Sequence, residues 1–132
     1  MKKLTLILAG ATLALTGAAA SAKPSHAERA EADLARMLEG RVAGEPQNCI
    51  SAFDSNRIRV IEHLGIVYDN GGTIWVARAK DPRVLGHWDM PIFQRYSSQL
   101  CTTDVIRTVD RSDGHFTGAL FLHDFVPYTR AG

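Results

Sequence analysis

Two periodicities divide the chain. From Ser25 to Glu39 the apolar residues Ala27, Ala30, Leu34, Met37 and Leu38 recur at intervals of three and four, with Glu28, Arg29, Asp33 and Arg36 between them. That spacing aligns apolar side chains along one side of an α-helix and leaves the charges in water. Ser25, followed by Glu28, forms a capping box in which each side chain satisfies a backbone N–H that the first helical turn leaves free. Gly40 provides the left-handed stop. The spacing therefore predicts one helix over residues 25–39. Residues 41–47 read as a linker, because Gly44 and Pro46 end any periodicity.

From Cys49 onward the period changes to two and β-branched residues dominate. Arg57-Ile58-Arg59-Val60 alternates charged and apolar positions, as a strand with one wet face does. The runs at residues 65–68 and 73–77 flank Asp69-Asn70-Gly71-Gly72, and Asn-Gly between two β-rich runs is a strong hairpin signal. Residues 79–86, with Asp81-Pro82, read as a loop, and residues 87–98 fit either a strand or an irregular excursion. Residues 105–109 and 115–121 read as strands joined by a turn at 110–114. Phe125-Val126-Pro127-Tyr128 closes the chain. Pro127 has no N–H to donate, which predicts that this end lies at a sheet edge or outside the sheet. The expected fold is α+β, with one N-terminal helix packed on a small, mainly antiparallel β-sheet or partial barrel.

Residues 1–22 carry a different pattern. Lys2 and Lys3 precede an apolar stretch from Leu4 to Leu15, and small residues follow to Ala20-Ser21-Ala22. This is the layout of a secretory signal with an A-x-A cleavage site before Lys23. It is too short, and too interrupted by Gly10, Gly17 and threonines, for a stable membrane span. The reading divides the chain into a signal peptide at 1–22, a helix and linker at 23–47, and a β-rich disulfide-linked part at 48–132. Residues 23–132 make one mature domain, periplasmic or secreted, with no membrane span after cleavage.

Composition narrows the function classes. With 132 residues, 45% of them apolar, the chain supports a single modest core. Removing Lys2 and Lys3 takes Lys+Arg from 15 to 13 against 14 Asp+Glu. A near-neutral domain offers no extended basic face for nucleic acid. In an oxidising compartment the two cysteines, Cys49 and Cys101, have one intramolecular pairing open to them. Closing a loop across those 52 positions removes chain entropy worth roughly 4 kcal/mol from the unfolded state. Neither cysteine has a basic neighbour to make it a reactive thiol.

Candidate chemistry rests on His63, His87, Asp89, His115, His123 and Asp124. His87 and Asp89 share one side of a strand at i and i+2, and with His123 they could make a three-ligand open metal site. No metal-binding motif requires this: H-E-x-x-H, paired zinc-ribbon cysteines and an Asp-rich calcium loop are all missing. A Ser97 or Ser98, His123 and Asp104 triad lacks a nucleophile elbow. Asp104, three residues after Cys101, is better suited to capping backbone N–H groups in a turn. No cofactor is expected. Of the aromatic residues Trp75, Trp88, Phe93, Tyr96, Phe121, Phe125 and Tyr128, most are expected to fill the core. Trp88, Phe93 and Tyr96, in the least regular segment, are the candidates for a ligand-binding groove.

Residues 38–130 resemble a family of small exported alphaproteobacterial proteins. The resemblance rests on Gly40-Arg41-Val42-Ala43-Gly44 leading to Cys49-Ile50, the hairpin from Tyr68 to Thr73, and Ser98-Gln99-Leu100-Cys101 with Asp104. Val109-Asp110-Arg111 and the ending Phe125-Val126-Pro127-Tyr128-Thr129 complete it. It implies a secreted, disulfide-bearing domain and carries over no catalytic residues. The chain departs from the family at His123, where glycine is usual, and over residues 81–94 with His87-Trp88. The combined expectation is a non-enzymatic binding domain, monomeric or weakly oligomeric, whose partner is an envelope ligand or protein. A metal-dependent or hydrolytic enzyme using His87, Asp89 and His123 is the competing class. Mass spectrometry of protein from its native compartment should find a chain that starts at Lys23 and weighs two hydrogens less than the reduced polypeptide. An intact leader or free thiols would overturn the export reading.

Overall fold

A computed structural model of the chain describes residues 21–94 and 97–132. The signal peptide expected at 1–22 therefore lies almost wholly, and Tyr96 entirely, outside the described residues. Helix α1 spans His26–Met37, and its first turn closes as the sequence predicts: Glu28 N donates to Ser25 Oγ, and Ser25 N to the Glu28 carboxylate. Gly40, at φ +72°, reverses the chain two residues after the helical cap. No helix among the described residues is long and apolar enough to cross a membrane.

Ten strands follow: β1 (Arg41–Ala43), β2 (Cys49–Ser51), β3 (Ile58–Ile61), β4 (Gly65–Asp69), β5 (Thr73–Arg78), β6 (Asp89–Ile92), β7 (Gln99–Cys101), β8 (Ile106–Asp110), β9 (Phe116–Leu120) and β10 (Val126–Arg130). They form a five-stranded sheet in the order β1-β10-β5-β4-β3, a three-stranded sheet β6-β8-β9 and the pair β2-β7. All the pairings are antiparallel, so the architecture is the expected α+β. Single bridges join the sheets: Ala79 with Leu122, and Gln47 with Phe125.

The five-stranded sheet is covered on both faces. On one, Ala30 and Leu34 of α1 pack on Leu64, Val67, Ile74 and Val76. On the other, Ile66, Tyr68 and Ala77 meet Ile50, Leu100, Ile106, Leu120, Leu122 and Phe125 from the remaining strands. Alternate residues of β4 and β5 thus point into different apolar layers. That is why Gly65-Ile66-Val67-Tyr68 is buried along its length rather than at every second position.

Two sequence expectations change. Residues 41–43 are not linker but β1, paired with β10. The short strand is held by Arg41, whose guanidinium donates to the carbonyls of Gly71, Gly72 and Tyr128, tying it to the tip of the β4–β5 hairpin. The C-terminal strand is also not at an edge: β10 lies between β1 and β5. Pro127 fits there because its carbonyl accepts from Gly44 N at 2.7 Å, just past the end of β1. The N and C=O of a strand residue face the same neighbour, so the missing donor points to where β1 has already stopped. The β5 side loses nothing.

Cys49 and Cys101 are direct partners in the β2–β7 register, with Cα atoms 4.0 Å apart, and are joined by a disulfide. Flanking bonds such as Thr102 N to Asn48 O make theirs a non-hydrogen-bonded position, where facing residues approach most closely. Asp104 takes the turn role expected of it: its Oδ2 accepts from Cys101 N at 2.8 Å.

Gly65 is required for another reason. A Cβ there would stand 2.2 Å from Ala77 O and 2.8 Å from Arg78 Cα, both backbone atoms that cannot swing aside. Gly65→Ala should therefore destabilise the fold by about 3 kcal/mol, as overpacking against backbone does. Gly72→Ala, which meets nothing within 4 Å, should change stability by less than about 0.5 kcal/mol. Urea denaturation of the two variants checks the contrast.

Candidate binding surface

The three-stranded sheet has one dry face and one exposed face. Ile106, Thr108 and Leu120 are buried on the inner side, where Thr117 Oγ1 and Thr108 Oγ1 are 3.0 Å apart and hydrogen-bonded. The outer side is built in rows by the register. Met90 faces Val109, which faces Phe116, and Ile92 faces Arg107, which faces Ala119. A bulge at the step from Thr108 to Val109 shifts the alternation of β9 by one residue, so that Phe116 points outward. Arg111 N donates to Trp88 O, extending the β6–β8 ladder by one residue, and puts Trp88 on the same side as Met90 and Ile92. Val105 and Phe121 follow one position beyond the last pair, Ile106 with Leu120.

Five large side chains on or bordering this face are open to solvent: Phe116 (65% exposed), Trp88 and Val105 (62% each), Phe121 (50%) and Met90 (41%). Neighbouring exposed apolar side chains are the feature that sets interaction surfaces apart from singly exposed apolar residues. Val105, Arg107, Phe116 and Ala119 enclose a shallow depression in it. Arg107 stands in the middle of the apolar rows, and among the described residues its side chain has no ion pair or hydrogen bond.

Of the three groove candidates, Trp88 lies on this surface, Phe93 packs against the core, and Tyr96 falls outside the described residues. Trp75 and Phe125 also pack in or against that core, and Tyr128 packs beside α1, as the filling of a small β domain requires. Phe116 was not singled out from sequence. Its outward direction depends on the bulge, which strict alternation does not reveal.

The polar candidates do not converge. His87 Nδ1 sits 3.2 Å from Glu62 Oε1, and its ring meets Trp88 edge-on at 5.3 Å. Asp89 Oδ2 accepts from Gly86 N. His123 and Asp124 line a separate depression with Lys80 and Thr102. His87, Asp89 and His123 are therefore not brought to ligand distance of one another. Ser97 Oγ bonds to the Gln99 backbone and Asp104 to Cys101 N, and among the described residues no hydrogen bond joins Ser97, Ser98 or Asp104 to His123. His63 occupies the β3–β4 turn with φ +59°, its ring 4.9 Å from that of His26.

Asp110, Asp113 and His115 do come together, in the β8–β9 turn. Their oxygens already serve the turn: Asp110 Oδ1 accepts from Ser112 N, and Asp113 Oδ1 from His115 N. The hydrogen bond to Asp113 and that carboxylate's charge raise the His115 pKa above its ordinary 6.5. Backbone and side-chain bonds from His115 lower the Asp113 pKa.

Fold and surface together define a small α+β domain, stapled by one disulfide, with an unpartnered apolar sheet face. The chain matches no family model, no curated protein and no solved structure.

The raised His115 pKa means that its pairing stabilises the fold below the ordinary histidine range and is lost as pH rises through the folded value. The lowered Asp113 pKa works in the other direction: its contribution is present above the ordinary carboxylate value and lost as pH falls through the folded one. NMR titration should place His115 above 6.5, and Asp113→Asn should bring it back. An unchanged His115 in that variant would show that the turn pairing is not formed in solution.

Proposed function

We propose that this chain is a non-enzymatic, exported binding domain that captures a partner protein on the outer face of β6-β8-β9. The observation that carries the reading is the row of exposed Trp88, Met90, Phe116, Val105 and Phe121 around Arg107, which has no ion pair among the described residues. Aromatic residues, Met and Arg are the types enriched where proteins meet. The signal-like leader, the paired cysteines and the resemblance to small exported proteins support an extracytoplasmic location.

Arg107 selects the partner's chemistry. Covering a guanidinium with apolar surface and no anion would strand a charge, which costs several kcal/mol. A complementary surface therefore supplies a carboxylate opposite Arg107 and apolar side chains around it. A second copy of this face would instead set Arg107 near Arg107. The enzyme reading has less support, because His87 and Asp89 serve separate local contacts and His123 lines a different depression.

Selection from a displayed random-peptide library should enrich apolar peptides that carry Asp or Glu. Binding should fall at least about tenfold in Phe116→Ser and Arg107→Glu, while Trp88→Ala and Phe116→Ser each change stability by less than about 1 kcal/mol. Peptides that bind these variants as well as the parent would remove the face from the proposal. Concentration-dependent dimerisation abolished by Phe116→Ser would make the partner a second copy instead.

A further inference from the structure

A second cleft lies between α1 and β3, apart from the apolar face, with a volume of about 500 Å³. Ala30, Met37 and Ile61 form its apolar floor, and these belong to the layer that seats the helix. Around them stand four nitrogen-bearing side chains, His26 and Arg29 from α1 and Arg59 and His63 from β3 and its turn. Two carboxylates also line the cleft, but both are engaged. Asp33 pairs with Arg36. Glu62 sits between His87 and Arg111, at 3.2 and 3.9 Å. Arg59 has no ion pair among the described residues. With Arg36 and Arg111 set against those two carboxylates, Arg29 and Arg59 are left as the cleft's uncompensated charges, and they are positive.

The hydrogen bonding of the histidines adds to this. Arg29 Nη2 lies 3.2 Å from His26 Nδ1. A guanidinium can only donate, so that nitrogen accepts and the imidazole proton sits on Nε2, where it is a donor for an anion. His63 holds a left-handed backbone conformation that costs a side-chain-bearing residue roughly 1–2 kcal/mol and glycine almost nothing. The turn itself needs only the backbone there, with His63 N donating to Leu85 O at 2.8 Å. A histidine in a conformation that glycine would adopt at less cost, its ring tilted at 35° against that of a second histidine at the mouth of the cleft, points to a role for the side chain.

We propose that this cleft binds an anionic amphiphile, a ligand with a phosphate or carboxylate head on an apolar body. Arg29, Arg59, His26 and His63 would hold the head, and Ala30, Met37 and Ile61 the adjoining carbons. The volume suits a small organic ligand, and the pairing of apolar floor with donor rim excludes both a bare inorganic anion and an uncharged amphiphile as the preferred occupant.

Three probes test this by ¹⁵N NMR below any micelle concentration: octyl phosphate, inorganic phosphate and octyl glucoside. Octyl phosphate should shift the amides of residues 26–37 and 59–63, binding at least about tenfold more tightly than either other probe. Arg59→Gln should weaken it at least about fivefold, the loss of one charge-assisted contact. His63→Gly separates site from scaffold: its Tm should equal or exceed the parent's while octyl phosphate binding falls. Sedimentation on phosphatidylglycerol vesicles, lost in Arg59→Gln, would place the head in a bilayer, and shifts by octyl phosphate without sedimentation would make the ligand a free amphiphile. Equal binding of octyl glucoside, no shift at residues 26–37 and 59–63, or unchanged affinity in Arg59→Gln and His63→Gly would each overturn the assignment.

Discussion

The structure depends on the central pair β4 and β5 being buried on both faces. Their ladder runs from Gly65 with Arg78 to Asp69 with Ile74, and alternate side chains feed two separate apolar layers. At Gly65 the backbones approach too closely for any side chain. A sheet so enclosed must have its helix on one side and its other strands on the opposite side. The positions of α1, of the three-stranded sheet and of the β2–β7 pair follow from that requirement.

The disulfide acts on the second of these layers. β2 and β7 are three residues each and pair only with each other, so few hydrogen bonds hold Ile50 and Leu100 against the core. Linking Cys49 to Cys101 keeps both short strands in register over Ile66, Tyr68 and Phe125. The covalent link compensates for the small size of a ladder that would be marginal in isolation.

Enclosing β4 and β5 consumes the apolar surface of most elements, and what remains outside is informative. The three-stranded sheet spends its inner face on Ile106, Thr108 and Leu120 and leaves the opposite rows in solvent. The two surfaces proposed for binding differ in chemistry. The outer sheet face is apolar with one central cation. The α1–β3 cleft is basic with an apolar floor, and its carboxylates are drawn off to Arg36, His87 and Arg111.

Local chemistry was legible along the chain. Ser25 and Glu28 capped the helix, Gly40 turned it, Asn70 and Gly71 marked the hairpin and Asp104 capped its turn, because each acts within a few residues of itself. The pairing of Cys49 with Cys101 was legible too, since two cysteines leave one bond to make. The place of β10 was not: Pro127 argues for an edge until β1 is seen to end opposite it, and that depends on a strand 84 residues earlier. Nor was the outward turn of Phe116, which needs the bulge, or the meeting of His26 with His63, which needs the helix to lie across β3. Short-range hydrogen bonding and periodicity are properties of a segment, and a sequence states them directly. Which faces meet, and therefore which charges stay unpaired and which aromatics stay wet, is settled only when distant segments compete for the same buried space.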